Sequence, residues 1–132
     1  MKFEDAHSCI KRGDIGSLNR SLDSGLDPDL SNQFSWTLLM LAAVQGNTAI
    51  GRTLVSHGAN VDATNNFGEC ALSIAAHKGH VAFASWLLDA GASRECRPHG
   101  LDLSDWIEQT SGLPAQKISA VLQLLRDHRL FH

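Results

Sequence analysis

The chain has 132 residues, of which 43% are hydrophobic and 19% charged, with a formal net charge of −3 and a sequence pI near 6.1. That is one domain's worth of a folding chain rather than a disordered one, and the mild acidity argues against a protein whose main work is to hold nucleic acid by its phosphates. The opening MKFEDAHSCIKRGD has no apolar run of signal-peptide length, and nothing in the chain approaches the roughly 20 apolar residues of a membrane helix, so a cytoplasmic protein that avoids membranes is expected.

Glycines recur along the chain at a fixed step. Gly13, Gly46 and Gly79 are 33 residues apart, and Gly25, Gly58 and Gly91 repeat the same step. Asn32 and Asn65, Phe34 and Phe67, Leu39 and Leu72, Ala42 and Ala75, and Ala43 and Ala76 follow it too. A fixed period of this length is the mark of a repeat array. Taken in order, units of about 1–31, 32–64, 65–97 and 98–132 make up one domain, 1–132.

In the first unit Gly13 and Gly25 keep register, and Lys11, Arg12, Asp14, Asn19 and Arg20 supply the polar outer side that a terminal unit needs. The second and third units open with polar and aromatic turns, NQFSW and NNFGE. A compact helix follows in each, TLLMLAAVQG and CALSIAAHKG, whose leucine and paired alanines at i, i+3 and i+4 make one apolar face. Small alanines let this helix sit close to its partner. Second helices carry Ile50 and Leu54, then Phe83, Leu87 and Leu88, with Trp86 expected in the core between units. The fourth unit is irregular. If Leu101 matches Leu72, its turn is trimmed by about four residues and GLDLSDWIEQ is its first helix. Pro114 suits the first turn of a last helix whose stripe is Ile118, Val121, Leu122 and Leu125, leaving Gln116, Lys117, Gln123 and Arg126 to solvent.

The stretches LAAVQGN with VSHGANVDA, and IAAHKGH with LLDAGAS, resemble the ankyrin repeat family, and the resemblance extends over roughly residues 4 to 128. It implies an all-α solenoid of stacked helix-turn-helix units with short hairpin-like turns. It also implies a non-catalytic module that binds another protein through its concave face and turn tips. One departure is local. The family's Thr-Pro-Leu-His stretch stands here as Thr37-Leu38-Leu39-Met40 and Cys70-Ala71-Leu72-Ser73, without the proline or the histidine. That bears on the stability of the hairpin ends, not on the fold.

Chemistry is sparse. There is no P-loop, GxSxG or GxGxxG. His77 and His80 stand three apart but straddle a turn, and the resemblance implies that His80 bonds the backbone of that turn. His57, His99, His128 and His132 have no partner at ligand spacing. A Cys70–His77 catalytic pair lacks an orienting group and an oxyanion site. Cys9, Cys70 and Cys96 are odd in number, without CxxC spacing, and read as reduced thiols. No enzyme activity, metal or cofactor is expected.

On the concave side the resemblance places Gln33, Phe34, Trp36, Val44 and Gln45, then Asn66, Phe67, Glu69, His77 and Lys78, with Lys11 and Arg12 from the first unit and Trp106 from the last. Aromatic and arginine side chains are the usual anchors of an interface. Phe34 and Phe67 repeat, so packing one turn on the next competes as their role. Trp36 has no counterpart, since Glu69 stands in its place, and is the first choice as a contact residue. Lys11, Arg12 and Lys78 would favour an acidic partner, or simply form a solvated face. Two alternatives accompany this reading. One is a dedicated inhibitor or immunity-type protein that neutralises a single toxin or enzyme, favoured by a chain that looks complete and capped. The other is a self-associating subunit joined through Leu124, Leu130 and Phe131. A monomer is expected when unbound.

Overall fold

The computed structural model describes residues 2–130, with side chains as far as Arg126. Eight α-helices follow one another: α1 (Phe3–Arg12), α2 (Ile15–Asp23), α3 (Leu38–Gln45), α4 (Thr48–Ser56), α5 (Ala71–His77), α6 (Val81–Asp89), α7 (Leu103–Thr110) and α8 (Ala115–Leu130). The first helices of the units form one row, α1 on α3 on α5 on α7. The second helices form another, α2 on α4 on α6 on α8.

Burial follows the 33-residue step. Ala6, Cys9 and Ile10 of α1 are buried, then Leu39, Ala42 and Ala43 of α3, then Leu72, Ala75 and Ala76 of α5. The central α3 and α5 are apolar nearly all round, because each is sandwiched between neighbours in its row and backed by a second helix. In the second row Leu18 and Leu22, Ile50 and Leu54, Phe83 and Leu87, and Val121 and Leu125 close the core. Trp86 packs against this core as expected, with its ring laid on Gly51 and edge-on to Phe83.

Polar clasps join the units at the same step. An Asp29 carboxylate oxygen accepts the Asn60 backbone N–H at 2.7 Å, and Asp62 repeats the contact with Ser93 at 2.7 Å. Each carboxylate ties one unit's loop to the next.

The fourth unit differs from its expectation. Leu103, Trp106 and Ile107 are the buried triplet of α7, so Leu103 rather than Leu101 matches Leu72, and the register slips by two residues, not four. The slack is taken up by a short 3-10 turn, Pro98–Gly100, with His99 in the left-handed region at φ 54°, after which Asp102 caps α7. On α8 it is Ile118, Val121, Leu124 and Leu125 that pack on the core, with Leu122 to one side, and Pro114 sits just before the helix. Leu124 therefore faces inward rather than offering a sticky outer face. Leu130, Phe131, His128 and His132 lie outside the described side chains.

The hairpin ends are not left weak by the missing proline and histidine. Thr37 caps α3 by accepting the Met40 N–H at 3.2 Å. Cys70 caps α5 reciprocally with Ser73: the Ser73 N–H reaches the Cys70 sulfur, and the Cys70 N–H reaches the Ser73 hydroxyl at 2.9 Å. His80 is also reassigned. Its Nε2 lies 3.0 Å from the Val44 carbonyl, so it ties the end of α3 in the preceding unit to α6 rather than bonding its own turn.

His57 has found a partner as well. Its Nε2 is 2.8 Å from an Asp23 oxygen and its Nδ1 is 2.9 Å from the Thr53 carbonyl, two acceptors that suit a doubly protonated ring. Asp23 first, and then the carbonyl, raise its pKa above the ordinary 6.5. A raised folded-state pKa stabilises the fold below the unfolded value, and that contribution fades as pH rises through the folded value. Asp23→Asn is therefore expected to lower the urea midpoint between about pH 4.5 and 6 and to leave it nearly unchanged at about pH 8.5. Equal losses at both pH values would show that the pair has no such role.

Candidate functional site

The turn tips are shaped by two asparagines. The Asn32 side-chain oxygen accepts the N–H groups of Phe34 and Trp36 at 2.9 and 3.0 Å. Asn65 does the same for Phe67 and Glu69 at 2.9 and 3.1 Å, and its amide donates to Glu69 Oε1 at 2.9 Å. Tip is bonded to tip through the backbone: Asn66 N–H to the Phe34 carbonyl at 3.0 Å, and His99 N–H to the Phe67 carbonyl at 2.7 Å. At Gly68 the chain needs both a positive φ of 75° and no side chain, because a Cβ there would lie 2.5 Å from the Arg97 carbonyl.

Between the tips and the first-row helices lies a hollow of about 370 Å³ lined by Trp36, Val44, Glu69, Ile74, His77, Lys78 and Trp106. Trp106 is only 6% exposed. The His77 ring stacks on it at 4.3 Å, and His77 Nε2 lies 3.0 Å from the Thr110 hydroxyl. Burial holds the His77 pKa below its ordinary value, so this wall is uncharged at neutral pH. The His99 ring stands between Phe67 at 5.7 Å and Trp106 at 6.0 Å, with its Nε2 3.5 Å from Glu69. Glu69 is thus held by both Asn65 and His99.

Phe34 and Phe67 are 48% and 45% exposed, and Val44 is 36% exposed. Phe67 leans on the His99 ring of the following segment while keeping its other side in solvent. Trp36 is half-buried and packs its base on the core.

Of the residues expected at a contact surface, Trp36, Glu69, His77, Lys78 and Trp106 meet in the hollow, together with Val44. Gln33, Phe34, Asn66 and Phe67 are exposed on the tips, and Gln45 is exposed at the end of α3. Lys11 and Arg12 are exposed at the end of α1 but do not line the hollow, and Arg12 lies 3.5 Å from Asp14. Trp106 needs correcting. It was expected to present itself to a partner, but the two-residue slip turns it into the core, where it forms the floor. Ile74 and His99 were missed as members of the site. Ile74 belongs to the i, i+3, i+7 run of Ala71, Ile74 and Lys78, a signal open to reading. His99 lies in the irregular turn, where no period leads to it.

Among the described residues no group of three or more His, Cys, Asp or Glu side chains is placed to hold a metal ion, and no helix is long and apolar enough to cross a membrane.

A family model described as ankyrin repeats, in three copies, matches residues 6–97. The chain belongs to the ankyrin repeat family. Ankyrin repeats in general are protein–protein interaction modules, typically without catalytic activity. Curated relatives carry the same units. Proteins named "Ankyrin repeat, SAM and basic leucine zipper domain-containing protein 1" from Neofelis nebulosa and Mus musculus are 41% and 39% identical over 59 residues, and that from Bos taurus is 39% identical over 57. The aligned segments cover 43–45% of this ankyrin chain and 12% of each relative. The likeness is one of repeat units. The α7–α8 pair lies beyond the matched repeats, yet it packs on α5 and α6 as each earlier pair packs on its predecessor.

Proposed function

We propose that this chain is a non-catalytic binding module whose hollow takes one large apolar side chain of a partner protein, with acidic residues of that partner lying along the adjoining row of helix ends. The observation that supports it is the hollow itself: Trp36 on the rim, Ile74 and Trp106 at the base, and Val44 exposed at the side. A concave apolar site with a few polar groups at its mouth is what an anchor side chain fills.

Cations stand beside it at the ends of α1 and α5. At the C-terminal ends of α1, α3 and α5 the step places Lys11, Val44 and His77 in one line, and Arg12, Gln45 and Lys78 in the next. No acid stands in either line across these three helices, although the chain as a whole is acidic; in the slipped fourth unit Glu108 takes the place of His77. Acidic groups on a partner would complement that edge and fix its direction.

The test is a selection from random displayed peptides on the immobilised full chain, followed by titration of the winners. The expected winners pair a Trp, Phe or Leu with Asp or Glu. Trp36→Ala should weaken them by about 30-fold or more, as loss of an interface anchor worth about 2 kcal/mol does. Lys78→Glu should shift the preference away from acidic flanks. Winners indifferent to both changes would place binding on another face.

A further inference from the structure

Two of the three cysteines stand together. Cys70 Sγ and Cys96 Sγ are 2.7 Å apart, in hydrogen-bond contact, and both are free thiols. A covalent S–S bond is about 2.05 Å long, so about 0.7 Å of closure separates this contact from a bond. Their neighbours are fixed. Cys70 is the residue before α5 and receives the Ser73 N–H, while Cys96 precedes the turn that carries His99.

We propose that Cys70 and Cys96 are a reversible oxidation site, in which a hydroperoxide converts the thiol pair to an intramolecular disulfide. The proposal is independent of the binding reading above. The two sulfurs have unequal roles. Hydrogen bonding from Cys96, supported by the Ser73 N–H, lowers the Cys70 pKa and favours its thiolate. Cys96 is pushed the other way by the same contact and by burial, and keeps its proton.

The Cys70 thiolate attacks one peroxide oxygen. An S–O bond forms, the O–O bond breaks, and the departing hydroxide (or alkoxide) takes the Cys96 proton to leave as water (or an alcohol). The Cys96 thiolate then attacks the Cys70 sulfenic sulfur. An S–S bond forms, the S–O bond breaks, and the second hydroxide is protonated by solvent. The cysteines lose two electrons and the peroxide gains them. Cys70 is 3% exposed, and its resolving thiol, the half-buried Cys96, is already in contact.

The bond would pin the third turn, which carries Glu69 of the hollow, to the segment that bears His99. The two segments already meet through the Phe67 carbonyl and the Glu69–His99 pair.

The experiment uses the reduced full chain treated with one equivalent of hydrogen peroxide, quenched with iodoacetamide, and analysed by intact mass and peptide mapping. The expected product has lost the mass of two hydrogen atoms, links the Cys70 and Cys96 peptides, leaves Cys9 to be alkylated, and reverts with dithiothreitol. The link should form at least about tenfold faster in the folded chain than in urea, where the pair is no longer held together. In Cys96→Ser, Cys70 should gain oxygen instead of forming a bond. If the wild-type chain gains oxygen, links Cys9, or forms the 70–96 bond no faster when folded, the proposal is wrong. The wild-type measurement stands whether or not the variant folds.

Discussion

Trp106→Ala is expected to cost about 3–5 kcal/mol of folding stability, the usual loss when a large buried aromatic is truncated. Against a total of about 5–15 kcal/mol for a domain, that approaches collapse of the last unit. The ring is 6% exposed, lies next to the fully buried Ile107, and stacks with the rings of both His77 and His99. Its removal leaves a cavity and frees both imidazoles. Trp106→Phe, which keeps a ring for His77 to stack on, should recover a good part of the loss. Denaturant titration followed by circular dichroism measures both. A loss for Trp106→Ala below about 1 kcal/mol, the scale of an ordinary surface change, would mean that the ring does not hold the stack together.

The second large effect is expected at Gly46. Gly13 and Gly46 are both helix C-caps in the left-handed region, at φ 73° and 71°. An alanine at either costs about 1–2 kcal/mol for that backbone conformation. Their surroundings differ. A Cβ at Gly13 meets nothing within 4 Å, whereas at Gly46 it would stand 2.7 Å from Cγ and Nδ1 of His80, the ring that bonds the Val44 carbonyl. Gly46→Ala therefore also displaces His80 and breaks an inter-unit bond worth about 1 kcal/mol. We expect a total near 3 kcal/mol at Gly46 and about half that at Gly13. In a His80→Ala background the excess at Gly46 should vanish, a coupling that a double-mutant cycle reads directly. Equal costs at the two glycines would show that the contact with His80 carries no energy.

These two cases differ in how far the sequence leads to them. The period brought out Gly46 and its recurrence, and the family resemblance, not the period, set Trp36, Glu69 and His77 on one side of the stack. It did so because each regular unit repeats one set of contacts, so position in the unit predicts position in space. The capping of α5 by Cys70 and Ser73 was less legible, since it replaces a familiar proline–histidine pair with another chemistry that satisfies the same end groups. Asp29 and Asp62 stood 33 residues apart in plain view, but their clasp on the next unit's backbone shows only when the loops are stacked.

The irregular end is where reading failed. Leu101 and Leu103 are both leucines near the right distance, and nothing local chooses between them. The left-handed backbone at His99 and the cap at Asp102 decide it, and with it the burial of Trp106 and the stacking of His99 against Phe67.

By itself, then, the sequence determined the repeat and the helices of its regular units, because the hydrophobic period and the turn-forming residues act locally and recur. Tertiary structure alone decided the register of the last unit, the floor and walls of the hollow, the pairing of His57 with Asp23, and the meeting of Cys70 with Cys96 across 26 residues. Those depend on how far a loop shortens and on which surfaces stacking brings within contact, and neither is written in any single stretch of chain.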